Sequence, residues 1–325
     1  MILQQKLYWF LFFFSLLGFG QEKVTLSGVI SDANNNETLI GVSVYVSELN
    51  IGTYTNEYGF YSITLPNGNY TLQISYIGFE TFSEKLEINQ NVKKNFSLKE
   101  SKQELKEVVI TENAYKTNIK KPEMSVNKLA ISTIKQMPVL MGEVDIIKSL
   151  LFLPGVTNAG EGQSGFNVRG GGADQNLVLL DEATLYNTSH VFGLFSVFNA
   201  DAIKDLKLYK GGIPARFGGR ASSVLEIYQK DGSSKDFHVN GGIGLISSRL
   251  LVEGPIVKDK GSFLIGGRAS YAHLFLKLSE ENKDNSAYFY DLNAKFSYKL
   301  NDNNSLYLSG YFGRDVFSLN KKVDM

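Results

Sequence analysis

The chain has 325 residues, enough for two or three ordinary domains. Lys+Arg and Asp+Glu both number 33, so net charge gives no pull toward nucleic acid or an anionic membrane surface. Cysteine is absent, which excludes disulfides, thiolate metal sites and lipid attachment through an N-terminal Cys, while 31 Gly, 22 Phe and 17 Tyr against 6 Pro lean toward β architecture.

Residues 1–20 read as a targeting segment: Lys6 gives a weak positive region, and Leu7 to Phe19 is apolar apart from Ser15. That run of 13 residues falls short of the roughly 20 needed for a spanning helix. A cleaved secretory signal ending near Gly20 is predicted, with the mature chain working outside the cytoplasm. No later stretch is long and apolar enough to span a bilayer as a helix, so any membrane crossing must use strands.

Residues 22–98 divide into short strands broken by Gly, Asn and Pro. Val42, Val44 and Val46 alternate with Ser43, Tyr45 and Ser47; Tyr58-Gly59-Phe60-Tyr61 enters another strand, and Leu65 to Tyr70 turns between two more. About seven strands in this length predict a small β-sandwich. Gly28-Val29-Ile30-Ser31-Asp32, Leu39-Ile40-Gly41-Val42, Gly52 through Gly59 and Tyr76-Ile77-Gly78-Phe79 resemble the carboxypeptidase-regulatory-like domain, which is a transthyretin-like sandwich.

Residues 99–121 form a linker rich in Lys, Glu and Asn, with one β-prone island, Leu105-Lys106-Glu107-Val108-Val109-Ile110-Thr111. The island can dock as a strand on its own domain or add to the sheet edge of another protein. It resembles the TonB box, which implies Leu105, Glu107, Val108, Val109, Ile110 and Thr111 as the contact with periplasmic TonB.

Residues 122–232 change character. Val144, Ile147 and Leu151 recur at helical spacing, with Glu143 and Asp145 expected in the first turn and Pro154-Gly155 ending the helix. Strands are predicted at Asn167–Gly170, Leu177–Asp181, Leu206–Lys210 and Val224–Ile227, with a short helix around Ala200–Lys204. Leu153-Pro154-Gly155-Val156, Phe166 through Gly170, Leu179-Leu180-Asp181, Lys210 through Arg220 and Ser223-Val224-Leu225 resemble the TonB-dependent receptor plug. The Val-Val-Asp-Gly run of the SusC group is replaced here by Leu179-Leu180-Asp181-Glu182, so a polysaccharide substrate is not implied.

Residues 233–325 carry the membrane signal. Tyr288, Tyr290, Leu292, Ala294, Phe296, Tyr298 and Leu300 take even positions, and Asp291, Asn293, Lys295, Ser297 and Lys299 take odd ones, with Phe289 the exception. Leu306, Leu308, Gly310 and Phe312 repeat the pattern opposite Ser305, Tyr307, Ser309 and Asp315. Alternation this long suits a barrel strand. Five strands are expected: a pair within 235–253, a third at 262–276, a fourth at 287–300 and a fifth at 305–315. With Pro255–Gly261 and Asn301–Asn304 as short periplasmic turns, the third and fifth run outward and the fourth inward. Plugged transporters have about 22 strands, so the chain is expected to be an N-terminal portion lacking most of its barrel.

Other chemistry is poorly supported. Gly160 to Gly165 matches G-x-G-x-x-G but opens onto a strand, which removes the dinucleotide context. Asp32 to Glu37 begins like a calcium loop but lacks its sixth-position Gly. A zinc carboxypeptidase needs closely spaced His and carboxylate ligands, and His190, His238 and His273 have no such neighbours. A secreted β-domain adhesin would explain the signal and the sandwich but neither the plug motifs nor the barrel alternation.

The reading is therefore mainly β: an N-terminal transthyretin-like β-sandwich, a small α/β plug domain, and the first strands of an antiparallel transmembrane β-barrel. The resemblance implies a cell outer membrane receptor, not an enzyme, with no cofactor and no metal. It would import an extracellular small-molecule or oligomeric substrate with energy from TonB. Siderophores, cobalamin, peptides and sugars all stay open as substrate. Outer-membrane lipid is an implied partner, a surface lipoprotein is compatible, and nucleic acid is not. Tyr186, Asn187, His190 and Phe192 lie in a Gly/Phe-rich loop and are expected to face substrate or to pack on the barrel wall. Arg169, Gly170, Asp181, Arg216 and Gly218 are expected to be structural, the two arginines tying plug to barrel through charge-assisted hydrogen bonds.

Overall fold

The computed structural model describes residues 23–101, 125–137, 143–160, 165–271, 273–280 and 283–318. Two compact units are present, the first containing described residues up to Ser31 and from Leu39 to 101, and the second containing the rest.

The first unit holds eight strands, one more than the spacing of turns suggests: β1 Lys23–Asp32, β2 Ser43–Val46, β3 Ile51–Tyr54, β4 Phe60–Pro66, β5 Gly68–Ser75, β6 Phe82–Ile88, β7 Val92–Lys93 and β8 Phe96–Leu98. They make two sheets, one ordered β4-β1-β7 with β8 also on β1, the other β3-β2-β5-β6. Successive side chains on a strand point to opposite faces, so every second residue goes inward: Val24, Leu26 and Ile30 from β1, Val44 and Val46 from β2, Tyr61, Ile63 and Leu65 from β4, Tyr70, Leu72 and Ile74 from β5. The Gly52–Gly59 motif is structural. Buried Thr55 donates to the Leu39 carbonyl at 2.6 Å and accepts from Val42 N at 2.9 Å. Asn56 Oδ1 accepts from Tyr58 N at 3.0 Å and Phe60 N at 2.9 Å, and Gly59 adopts φ +70°. At Gly28, midway along β1, any Cβ would overlap the carbonyl oxygen of Lys94, which accepts from the Tyr61 hydroxyl at 2.8 Å.

In the second unit, β9 Val126–Ala130 and helix α1 Ile131–Lys135 are followed by α2 Ile146–Leu150. Short strands β10 Val156–Asn158 and β11 Phe166–Val168 pair as a ribbon, and β12 Asn176–Leu180, β13 Ala183–Thr184, β14 Ser189–His190, β15 Phe195–Ser196, β16 Ile203–Tyr209 and β17 Ser223–Gln229 follow. A five-stranded sheet runs β13-β12-β17-β16-β9, with β12 and β17 parallel and the other pairs antiparallel. All seven residues of β17 are buried, as a central strand covered on both faces should be. Ile146, Leu150, Phe166, Val178, Phe198, Leu206, Leu208 and Leu225 form the core beside it.

Three local expectations for this segment are corrected. Asp145 is the N-cap of α2, accepting from Lys148 N at 3.0 Å, and Glu143 lies ahead of the helix rather than in its first turn. Arg169 and Gly170 are a turn with φ +50° and +83°, not the end of a strand. Ala200 to Ala202 form a turn, because Asn199 Oδ1 accepts from Asp201 N at 3.0 Å and the chain then enters β16.

Five further strands form an antiparallel meander in chain order: β18 His238–Ile243, β19 Ser247–Val257, β20 Gly261–Ser270, β21 Ser286–Lys299 and β22 Ser305–Ser318. Strand β20 ends at Ser270 rather than running to residue 276, and a short helix, α3 His273–Leu276, follows it. Pro255 belongs to β19, where the register slips between Pro255 and Val257; Pro lacks the ladder donor and is tolerated at such a bulge. Among the described residues no helix is long and apolar enough to cross a membrane.

The close approach at Gly28 yields a test. Residues 22–98 expressed alone should melt cooperatively as an all-β domain, and Gly28→Ala should cost about 2 kcal/mol through overpacking. For a domain of this size that is a drop of about 10 °C in Tm by circular dichroism; an unchanged Tm would show that β1 can shift away from the Lys94 carbonyl.

Candidate functional site at the inner face of the five-stranded sheet

The burial of β21 is the inverse of a soluble strand. Its polar odd positions are buried, with Asp291 3% and Asn293 1% exposed, whereas Tyr290, Leu292 and Phe296 on the even positions are 37%, 48% and 39% exposed. Strand β22 turns Leu306, Leu308 and Phe312 outward and Tyr311 inward, and β20 turns Arg268 inward and Ile265 outward. A buried polar face is stable only if its groups are paired. The partners come from residues 143–231.

Toward the Ser286 end of β21, Arg268 is directly opposite Asp291 in the β20–β21 register. Its Nε and Nη2 donate to Asp291 Oδ2 at 3.0 and 2.6 Å, Nη1 donates to Glu143 Oε2 at 3.1 Å, and Nη2 also donates to the Ser196 carbonyl at 2.6 Å. Ser247 donates to the other oxygen of Glu143. The guanidinium lies over the Phe289 ring, 5.0 Å from its centroid, so the one inward aromatic of β21 is part of the cluster. His190 stacks on Phe289 at 4.3 Å with its Nδ1 3.1 Å from Asp315 Oδ2 and its Nε2 3.2 Å from Asp291 Oδ2. Removing one partner of such a buried pair typically costs about 3–5 kcal/mol.

Toward the Lys299 end, Lys295 Nζ donates to the Gln229 carbonyl at 2.9 Å and pairs with Asp231 at 2.9 Å and Asp181 at 3.4 Å. Between the clusters, Asn293 Nδ2 donates to Gln229 Oε1 at 3.3 Å. Asp181, at φ +46°, also accepts from Gln229 N at 3.0 Å, which locks the end of β12 to β17. Burial alone would raise the Asp231 carboxyl, but Lys204 and Lys295 outweigh it and hold the group well below the usual carboxylate range. Next to it Gly232 adopts φ +79°, and a Cβ there would come within 2.5 Å of the Phe263 carbonyl oxygen. The chain leaves β17 for β18 at this point.

Of the residues expected to face a ligand, Tyr186 is 87% and Phe192 64% exposed, and Phe192 meets Phe317 edge-on at 5.0 Å. Asn187 instead caps its own loop, accepting from Ser189 N at 3.2 Å. His190 is 2% exposed and belongs to the Arg268 cluster. Tyr186 also borders a cavity of about 350 Å³ with Phe166, Asn176, Val178, Thr184 and Arg220. The arginines expected to reach the barrel bond nearer home: Arg169 donates to Ser125 at 2.8 Å, and Arg216 pairs with Glu226 at 3.3 Å and stacks on Phe217. Gly218 has open space around its Cβ direction. Residues 105–111 lie outside the described residues. Among the described residues no group of His, Asp and Glu side chains could hold a metal ion.

The ionic ties to the sheet thus come from Arg268, from Lys295 and from Arg249, whose Nε donates to Asp201 Oδ2 at 2.6 Å, and sequence reading left all three unassigned. The signal was available in part, since Lys295 and Asp291 stand on the odd, polar face of the alternation. Arg268 lies in a Gly-rich strand whose inward side shows no such pattern.

Residues 26–110 match the CarboxypepD_reg-like domain family, and residues 125–224 match the TonB-dependent Receptor Plug Domain family. The chain carries a TonB-dependent receptor plug. The first match runs through Ile110 and so takes in most of the island at 105–111. None of the curated proteins matches the chain. Similar solved structures include the siderophore receptor PirA of Acinetobacter baumannii, at 19% identity over 60% of this chain and 32% of that one, TM-score 0.45. The ferric enterobactin receptor of Pseudomonas aeruginosa in complex with enterobactin is similar at 17% identity, over 59% of this chain and 33% of that one, TM-score 0.44. This chain therefore spans about a third of the length of the solved structures it matches.

Within the plug, Asp205 on β16 is 8% exposed, and burial pushes its carboxyl up to about 6 despite Lys207 nearby. A folded-state value above the unfolded one means that the fold holds this proton more tightly. Stability from this group is therefore greatest below about pH 4 and is lost as pH rises toward 6. Asp205→Asn should flatten that step and raise plug stability at pH 7 by on the order of 2 kcal/mol. Denaturant titrations of the detergent-solubilised receptor at pH 4 and pH 7 check it; equal pH dependence in both proteins would refute it.

Proposed function

We propose that the chain forms the accessory sandwich, plug and opening barrel strands of an outer-membrane receptor that imports an extracellular substrate with energy from TonB. The observation that carries this reading is the inverted sheet, apolar outward and polar inward, whose inner face is closed by buried ion pairs to the plug. In lipid every backbone polar group must be satisfied within a closed barrel, and an outward apolar band is what hydrocarbon accepts. Plug contacts that include ion pairs beside small apolar clusters suit a domain that must leave its seat, since water can replace the ionic ones. Tyr186 and Phe192, exposed on the plug, are the proposed substrate contacts, and the mature chain starts near Gln21.

In this reading residues 105–111 are the TonB box, pairing edge to edge with TonB. Val109→Pro removes one ladder donor and should abolish uptake while leaving substrate binding to whole cells unchanged. Normal uptake by this mutant would return the island to the sandwich as one of its own strands.

Orientation follows from connection lengths: residues 258–260 and 301–304 are short turns, whereas 271–285 is long. On intact cells, a Cys replacing Asp284 should react with an impermeant maleimide, and one replacing Asn303 should not. The reverse pattern overturns the orientation, and equal labelling of both argues against a membrane barrel.

A further inference from the structure

One side chain departs from the apolar character of the sheet's outer face. Outward positions of β18 to β22 carry Val239, Leu250, Ile265, Leu292, Phe296 and Leu308, and among the described residues the single charge on that face is Arg314. Its neighbours fix its direction. Phe312 is outward and 55% exposed, whereas Asp315 turns inward to His190 at 3.1 Å. Arg314 is exposed and makes no ion pair or hydrogen bond among the described residues.

A cation on a lipid-facing strand is unfavourable at mid-membrane, and the penalty falls steeply toward the interface. Arg314 stands eight residues along β22 from Leu306. At about 3.4 Å per residue and a tilt of about 40°, that is a height of roughly 21 Å in an apolar band about 25 Å tall. The guanidinium therefore lies near one rim of the band, the rim facing outward from the cell in the orientation proposed above. The aromatic residues agree. Tyr290 is directly opposite Arg314 in the β21–β22 register, 37% exposed, with its ring 6.2 Å from Phe312. One outward position further along β21, Tyr288 meets the ring of His273 on α3 at 5.0 Å. Rings with a polar end are suited to the boundary between hydrocarbon and water.

The anion available at that boundary is the phosphate of a lipid headgroup. A guanidinium presents a planar fork that matches phosphate oxygens, and directly opposite residues stand about 5 Å apart at Cβ, so the Tyr290 phenol starts beside it. A carboxylate from a further strand would bring a second charge onto the lipid face. A lipid brings its own charge to the rim and sets its chains against the apolar residues below. We propose that Arg314 and Tyr290 bind the phosphate of an outer-leaflet lipid, whose acyl chains lie along Phe312, Leu292 and Leu308. The proposal rests on the outer-membrane reading above and gives the surrounding lipid one fixed place on the barrel.

The test titrates the full-length receptor in maltoside detergent with phosphatidic acid, with diacylglycerol of the same chains and with inorganic phosphate, and counts bound lipid by native mass spectrometry. The parent should hold one phosphatidic acid about tenfold more tightly than Arg314→Leu does, the loss expected for one charge-assisted contact. Leu suits a lipid-facing position; should this variant still not assemble, Arg314→Gln, which removes the charge alone, is read in the same way. Tyr290→Phe should weaken binding about threefold, as for a neutral hydrogen bond, and no loss there would remove the hydroxyl from the site. Diacylglycerol should bind parent and variant equally weakly, and inorganic phosphate should not displace the lipid. Equal affinity of parent and Arg314→Leu for phosphatidic acid would overturn the site and point to a carboxylate elsewhere in the receptor. Displacement by inorganic phosphate would make it a site for a free anion, and diacylglycerol binding as tight as phosphatidic acid would leave the phosphate no role; either result sinks the proposal. Failure of the membrane reading would appear separately, as equal maleimide labelling at positions 284 and 303.

Discussion

A sheet that buries its polar face must find partners for the charges on it, and that constraint organises the second unit of this protein. Leucine and phenylalanine take the exposed outer positions of β21 and β22, while the charges of Asp291 and Lys295 on the inner positions cannot be left unpaired. The plug answers with Glu143, Asp181, Gln229 and Asp231, placed at the ends of its strands and ahead of its helix. Those ends sit where they do because β12 and β17 run parallel and finish together, with Asp181 and Gln229 joined at 3.0 Å.

The two ionic clusters differ in consequence. Lys295 gathers Asp181, Asp231 and the Gln229 carbonyl, all beside the point where the chain passes from plug to barrel. Gly232 allows that passage to run against the Phe263 carbonyl. This end is anchored by covalent continuity as well as by charge. Arg268 instead joins the exposed loop with the segment ahead of α2, and no nearby chain continuity reinforces either contact. Both clusters sit on the inner side of the β20–β21 hairpin, whose 23-residue sequence separation between Arg268 and Asp291 closes into direct register.

His190 shows how a residue's type misleads without its surroundings. A lone histidine in an aromatic, glycine-rich loop has the composition of a ligand contact. In the fold it fills the gap between two carboxylates of different strands and stacks on Phe289. Its loop neighbours Tyr186 and Phe192 keep the exposed position. Arg169 and Arg216 illustrate the converse, since their charge suggests a reach across an interface that their own domain already uses.

By itself the sequence determined the strands of the sandwich, the central plug strands β12, β16 and β17, and the alternation of β21 and β22, because period-2 burial and turn residues are local and survive without knowing the partner strand. Phe289, the one break in the alternation, was visible but had no explanation until His190 and Arg268 were seen to close on its ring. Only the tertiary structure decided where β20 ends, why Ala200 to Ala202 turn rather than coil into a helix, and which charges pair. A salt bridge between residues 125 apart, as in Glu143 and Arg268, leaves no local pattern; its energy depends on distance and burial, and both are set by the closing of the sheet around the plug.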